Sequence, residues 1–408
     1  MIKAIHLQRH LPASGNAAFR LHEAMRLSGI DSTMLSLSSD IEESKQIKHL
    51  GKKSSLISLL DARCGSFLTK SKKKEFGIFS YPLFGTDVSK LPQIQNADFV
   101  YLHWVIGGFL SLHGIENLCK IGKPIILFIH DMWPITGGCH YSFDCEKFKI
   151  ECNNCQIFPK EKKIDLALKE FKKELILYSK YNNLFFVSPS KWMYNQIKES
   201  TLTKEKPVFH IPNIINNKVF KQNNRLEARR ILDLDSDSLI ISFGAVSVDS
   251  PYKGWSYLQE ALSILKCRNQ QKNILVVIFG SGFNEQIERD IPFPIRFLGR
   301  LRDDFSTALL YNASNIFVAP SLADNLPTTI MESLACGTAV VGFNIGGIPD
   351  MVIHKKNGYL ANYKDSSDLA AGIEYCIENN LKGYLSEDFK REILIEKHLK
   401  LFDLIKNK

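Results

Sequence analysis

The sequence predicts an α/β protein built from two doubly wound domains, and three observations carry that expectation. Short runs rich in β-branched and aromatic residues alternate with helical stretches almost throughout, the pattern of parallel sheets covered on both faces. The alternation lapses once, over the polar stretch NIINNKVFKQNNR from Asn213 to Arg225, and then restarts. A chain of 408 residues also exceeds what one hydrophobic core usually organises, so two domains of about 150–200 residues each are expected.

In the first half the expected strands are IKAIHL (Ile2 to Leu7), STMLSLS (Ser32 to Ser38), DFVYLHW (Asp98 to Trp104), PIILFIHD (Pro124 to Asp131), LFFVSPS (Leu184 to Ser190) and VFHIPN (Val208 to Asn213). Helices are expected between them, among others over Ala17 to Gly29 and Asp165 to Lys180. The second half offers LIISFGAV (Leu239 to Val246), ILVVIFGSG (Ile274 to Gly282), IRFLGR (Ile295 to Arg300), NIFVAPS (Asn315 to Ser321) and TAVVGF (Thr338 to Phe343). This places a first domain at 1–213, a linker at 214–224 and a second domain at 225–390. A terminal helix over 391–408 is expected to pack back on the first domain. The two sheets are expected to face each other across a cleft, with ligands at the carboxyl ends of their strands.

Composition narrows the function classes. With 45% hydrophobic and 23% charged residues the chain reads as globular. No apolar run approaches the roughly 20 residues that span a bilayer, and MIKAIHLQRHL has no signal-peptide core, so a cytoplasmic protein is expected. A net charge of +9 favours anionic partners, but no nucleic-acid-binding module is recognisable. Nor is there a Ser-His-Asp arrangement or a Walker loop, and the glycines near Gly280 do not complete a dinucleotide fingerprint.

The most informative stretch is LADNLPTTIMESLACGTAVVGFNIGG, Leu322 to Gly347. It reads as a loop after a buried strand, with Pro327 opening a short helix whose inward residues are Ile330, Met331, Leu334 and Ala335 and whose stop is Gly337. Asp324 then precedes the helix and Glu332 lies within it. A helix N-terminus offers free N–H groups and partial positive charge, a seat for phosphate, and carboxylates accept hydrogen bonds from sugar hydroxyls. The competing reading makes Asp324 a helix-entry residue and Glu332 a solvated one.

With its acid eight positions ahead of a glutamate, followed by Gly337, Gly346 and Gly347, this stretch resembles the donor-binding signature of the retaining glycosyltransferases of family 4, which have the two-domain GT-B fold. The first acid is commonly Glu in that family and is Asp324 here. The similarity extends to ASGNAAFRLHEAMRLSG near the start, VSPSKWM (Val187 to Met193), HIPNII (His210 to Ile215) and YKGW (Tyr252 to Trp255).

The resemblance implies that Glu332 binds the ribose hydroxyls of a nucleotide-sugar donor, Asp324 the donor sugar, and the stretch Asn325, Leu326, Thr328 and Thr329 the diphosphate. Lys253 matches the phosphate-binding lysine; the arginine that often precedes it is replaced by Ala245, with Arg300 or Arg302 as substitutes. His130 is the first-domain contact to the donor sugar, with His103 and His140 as further candidates, against a purely structural role for a strand-end histidine. Gly15 would admit a phosphate to the first strand-helix loop. Gly280 and Gly282 would line the base pocket or only make a turn. Anomeric configuration would be retained without a protein nucleophile, and no metal cofactor is expected for catalysis.

Cys139, Cys145, Cys152 and Cys155 lie in an insertion at 137–159 that ends in a C-x-x-C pair. They are expected to hold a structural Zn²⁺, against isolated thiols or a redox pair, and to let Trp133 and Tyr141 present stacking faces to an acceptor. Between Ser55 and Phe76, Ile57, Leu59, Leu60, Phe67 and Leu68 accompany Lys70, Lys72, Lys73 and Lys74. That segment is read either as docking on anionic lipid at the inner face of the cytoplasmic membrane or as a core-packed helix with a basic end. The expected activity is transfer of a sugar to a saccharide, or lipid-linked saccharide, acceptor in surface polysaccharide synthesis. A nucleotide-sugar 2-epimerase and a non-catalytic saccharide- or nucleotide-binding subunit are the competing functions.

Overall fold

The computed structural model describes residues 1–11, 17–69, 76–158, 164–244, 250–268 and 273–407. Gly15, the four lysines at 70–74, and Ala245 lie outside them. The chain divides into a first unit, Met1–Ile214 with Arg391–Lys408, and a second, Ile215–Lys390.

In the first unit the strands are β1 (Lys3–Leu11), β2 (Asp31–Ser39), β3 (Ile47–His49), β4 (Phe99–Leu102), β5 (Ile125–Phe128), β6 (Leu184–Ser188) and β7 (Val208–His210). Its helices are α1 (Ala17–Leu27), α2 (Lys52–Leu68), α3 (Pro92–Gln95), α4 (Leu112–Lys120), α5 (Leu166–Lys180) and α6 (Lys191–Glu199). The second unit contains α7 (Arg225–Ile231), β8 (Leu239–Gly244), α8 (Trp255–Arg268), β9 (Ile274–Phe279), α9 (Glu285–Asp290) and β10 (Ile295–Gly299). These are followed by α10 (Asp304–Ala313), β11 (Ile316–Ala319), α11 (Thr328–Ala335), β12 (Ala339–Phe343), β13 (Gly358–Ala361) and α12 (Ser366–Glu378). The closing helix α13 (Arg391–Lys406) returns to the first unit.

Both sheets are wholly parallel, in the orders β3-β2-β1-β4-β5-β6-β7 and β10-β9-β8-β11-β12-β13. Each order reverses once, between β1 and β4 and between β8 and β11, and at such a point the flanking loops part and leave a crevice. Central strands such as FVYL, IILF and IFVA are buried along their whole length, because helices cover both faces. Helix α13 lays Leu394, Ile395, Leu401, Phe402 and Ile405 on the first sheet, where the Phe402 and Phe99 rings stack at 4.2 Å.

Several strands are shorter than their apolar runs: β4 stops at Leu102 and β11 at Ala319, because the following residues turn away into the loops that carry polar groups. Two strands absent from the expectation, β3 and β13, are edge or near-edge strands of three and four residues, too short for alternation to reveal.

Helix α2 inverts the usual pattern. It buries Ser54, Ser58 and Asp61 and exposes Leu56, Leu59, Leu60 and Phe67. The small polar side permits close approach: Ser58 Oγ donates to Gly107 O at 2.9 Å, and Asp61 accepts from the amides of Leu83 and Phe84, both at 2.9 Å. Gly108, at φ +82°, would place a Cβ only 2.3 Å from Ser58 Cα. No described helix is long and apolar enough to cross a membrane.

Candidate functional site

In the second unit the reversal of strand order brings the loop after β8 against the loop after β11. Leu322 N donates to Tyr252 O at 2.7 Å, tying the two backbones together. Gly254 stands at φ +60°, and a Cβ there would come within 1.9 Å of Pro320 O. Gly346, at φ +55°, bears the same relation to Asp324 O, also 1.9 Å, so a side chain at either position would force the loops apart.

This frame sets Lys253 Nζ 2.9 Å from Asp324 Oδ2, with Ser321 Oγ 3.4 Å from the same oxygen. The lysine side chain is 35% exposed and the aspartate 15%, so the pair stands at the surface of the crevice rather than in the core. Asp324 does not cap α11: the N-cap is Pro327, and no side chain caps the helix. The first helical amides to find backbone acceptors are those of Ile330 and Met331, on Pro327 O. The amides of Thr328 and Thr329 therefore point out of the helix start with its partial positive charge.

Glu332 is 3% exposed, which sets aside the solvated reading. Tyr311 Oη, on α10, donates to its Oε2 at 3.3 Å, and the Tyr311 ring is held edge-on by Phe279 and Phe317. Tyr311 has no counterpart in the sequence expectation, since a buried helical tyrosine looks like any core aromatic. Gly280, at φ +87°, makes the turn after β9 and donates to Gly299 O at 2.8 Å. A Cβ on Gly282 would meet open space. Arg300 and Arg302 are exposed beyond β10, the edge strand of the sheet.

In the first unit the corresponding reversal is lined by histidines. His6 Nδ1 lies 2.9 Å from His103 Nε2, and His103 Nδ1 lies 2.9 Å from His130 Nε2. The rings stack at 5.2 Å spacing, with Phe128 and Tyr101 filling the gaps between strands. Burial drives the His103 and His6 pKa values well below 6.5, and packing lowers His130 to about 4, although Asp131 opposes it. His140 is engaged elsewhere, with Asp131 at 2.7 Å and Ser80 at 2.8 Å. The coulombic field of His140 and its hydrogen bond hold the Asp131 carboxyl below its ordinary value against the cost of burial.

In the cysteine insertion Cys139 interacts electrostatically with Cys145, Cys152 and Cys155, while among the described residues no group of three or more His, Cys, Asp or Glu side chains is already arranged around a metal position; a structural Zn²⁺ on the four thiols stands as a proposal. Cys139, Cys152 and Cys155 also border a small apolar cluster of Phe79, Ile157, Phe158, Leu166 and Ala167. Burial raises the thiols of Cys139 and Cys155 and pushes Cys152 up to about 12, favouring the neutral form. Trp133 is buried, 4% exposed, and offers no stacking face; Tyr141 remains partly exposed, 6.4 Å from the Trp192 ring.

Two doubly wound units, the second with a lysine–carboxylate pair and an open helix start at its switch point, define the GT-B class of glycosyltransferase folds. Residues 237–379 match the family model of the glycosyl transferases group 1. An uncharacterised glycosyltransferase of Haemophilus influenzae is 29% identical over 205 residues, covering 48% of this chain and 54% of that protein. An N,N'-diacetylbacillosaminyl-diphospho-undecaprenol α-1,3-N-acetylgalactosaminyltransferase of Campylobacter jejuni is 30% identical over 122 residues, 28% of this chain and 32% of its own. The chain thus spans about half the length, or less, of these curated relatives. Among solved structures, Anabaena HepE in complex with UDP and glucose superposes over 100% of both chains with a TM-score of 0.62 at 14% identity, a likeness of fold.

Proposed function

We propose that the protein is a retaining glycosyltransferase of family 4 type that moves a sugar from a nucleoside-diphosphate sugar to a saccharide acceptor. The observation that carries this reading is the Lys253–Asp324 pair beside the uncapped start of α11, at the switch point of the second unit. Departure of a diphosphate builds negative charge, and preorganised positive groups lower that barrier most directly. Lys253 and the amides of Thr328 and Thr329 supply them, while Glu332 accepts from the ribose hydroxyls and Asp324 both steers Lys253 and meets the donor sugar. The acceptor hydroxyl attacks from the face the diphosphate leaves, and a diphosphate oxygen takes its proton. His130 is the first unit's contribution to donor binding. EDTA is expected to leave turnover intact.

UDP is the first nucleotide to try, because the HepE structure holds it. A thermal-shift screen of UDP, GDP, ADP and CDP tests the reading, since a ligand bound only by the native state raises apparent stability. One nucleotide should raise Tm and lose that effect in Lys253→Met; no shift with any of the four contradicts donor binding. The acceptor is proposed to be lipid-linked, built at the inner face of the cytoplasmic membrane for a surface polysaccharide. The Campylobacter relative's undecaprenol-linked acceptor and the outward leucines of α2, flanked by Lys52, Lys53 and Arg63, support this. Flotation with liposomes with and without acidic lipid checks it.

A further inference from the structure

Within the insertion at 137–158 the only helical element among the described residues is the 3₁₀ turn Lys147–Lys149. Its cysteines border a cluster of just five buried side chains. A stretch with so little backbone pairing and so small a core needs another source of stability, and in small folds disulfides or a structural metal supply it. Disulfides do not: Cys139, Cys145, Cys152 and Cys155 are all free thiols. They are nevertheless neighbours. Cys139 is within electrostatic reach of the other three, Cys152 of Cys145 and Cys155, and Cys155 of Cys145, so every pair among the four is in reach. In the closing C-x-x-C turn, Asn154 takes the left-handed φ of +42° that Asn tolerates. Lys147 Nζ donates to Asn153 O at 2.9 Å and Asn154 O at 3.2 Å, and Asn154 N donates to Asp165, the N-cap of α5, at 2.5 Å.

We propose that Cys139, Cys145, Cys152 and Cys155 are the four ligands of a structural Zn²⁺ that clamps the insertion to the start of α5. Thiolates are soft donors, and four of them suit a tetrahedral Zn²⁺ with no open position, so the ion takes no part in sugar transfer. On binding, four Zn–S bonds form, the four thiol protons pass to solvent, and the tetrathiolate carries two net negative charges. The surroundings are built to offset them. Gly137 N donates to Cys152 Sγ at 3.3 Å, the Ile157 amide donates to the Cys155 sulfur, and the Lys147 ammonium favours the Cys155 thiolate. Such outer contacts orient metal ligands and tune their basicity. The thiols are not already arranged around one position, so the ion draws them inward. Cys145, Cys152 and Cys155 lie on irregular backbone and Cys139 on a single bridge to Phe79, where no helix or sheet ladder resists that adjustment.

Full-length protein purified without chelator from zinc-supplemented medium should carry about one zinc per chain by elemental analysis. Co²⁺ loaded in its place should give the strong visible absorption of a tetrahedral site and a sulfur-to-metal charge-transfer band. Cys152→Ser and Cys155→Ser should each retain about tenfold less zinc than the wild type. Should either variant fail to fold, alkylation of the wild type decides. Mass spectrometry after iodoacetamide should find Cys145, Cys152 and Cys155 shielded in the zinc-loaded protein and labelled once a strong chelator has stripped it, while the exposed Cys267 labels in both. Four results overturn the proposal: no zinc and no uptake of Co²⁺, iron in place of zinc, a disulfide between any two of the four, or undiminished zinc in the folded serine variants. Labelling of the three cysteines that is the same with and without zinc does so as well. None of these readouts uses turnover, so the outcome is separate from that of the donor-binding reading.

Discussion

At the reversal of strand order in the first unit, β1 and β4 bring together neutral aromatic rings; at the same topological place in the second, β8 and β11 bring together a lysine, an aspartate and an open helix start. One winding rule thus produces two crevices of opposite chemistry. The first unit contains ten of the eleven histidines, and the second only His354. The fold supplies a place where loops part, and the residues at the strand ends decide whether that place is a charged anion seat or a hydrogen-bonding surface that carries no charge at neutral pH.

The largest effect that would sharpen this contrast is on the charged side. Lys253→Met should lower kcat by roughly 10²–10³-fold with little change in Tm, because it removes charge needed most by the departing diphosphate from a partly exposed side chain. Steady-state kinetics at saturating donor check this, and a loss confined to KM would break the assignment.

Acid should separate the units. His130 and His22 fall from 6.5 to about 4 and His398 to about 3, mainly by burial, and His6 and His103 fall as well. With the folded value below the unfolded one, the unfolded chain binds more protons between the two. Stability is therefore complete above about pH 6.5 and is lost as the pH falls towards 4. Each fall to about 4 corresponds to about 3 kcal/mol. Hydrogen exchange at pH 5 should show protection lost in β1, β4 and α13 before β8 and β11. Uniform loss would contradict the asymmetry.

Backbone constraint is the next difference to test. Gly346→Ala places a Cβ against Asp324 O at a positive φ and should cost about 2–3 kcal/mol in chemical denaturation, with weaker nucleotide binding as Asp324 shifts. Tyr311→Phe should be milder, about 1 kcal/mol and a few-fold in nucleotide affinity, since Glu332 loses one hydrogen bond and keeps its packing.

What could be read from the chain divides along the same line. The second-unit site was legible because its parts lie close together: Asp324, Glu332, Gly337 and Gly346 fall within one strand-loop-helix stretch whose spacing has a physical meaning. Lys253 was legible through the YKGW run. Tyr311 was not, since its role arises only when α10 packs beside α11. The histidine row was half legible: His130 stands out at a strand end, but His6 and His103 join it only through the pairing of β1 with β4 and of β4 with β5, contacts 97 and 27 residues apart. The stacking role expected of Trp133 failed because an aromatic in a loop gives no sign of its burial.

The central claim is that a diphosphate is held at the second unit's switch point by Lys253 and the start of α11. Calorimetric titration of wild type and Lys253→Met with the nucleoside diphosphate that gives the largest thermal shift, and with its nucleoside, tests it most directly. The diphosphate should lose at least tenfold in affinity in the variant, about 1.4 kcal/mol, while the nucleoside is unaffected. Equal diphosphate affinity in the two proteins would contradict it.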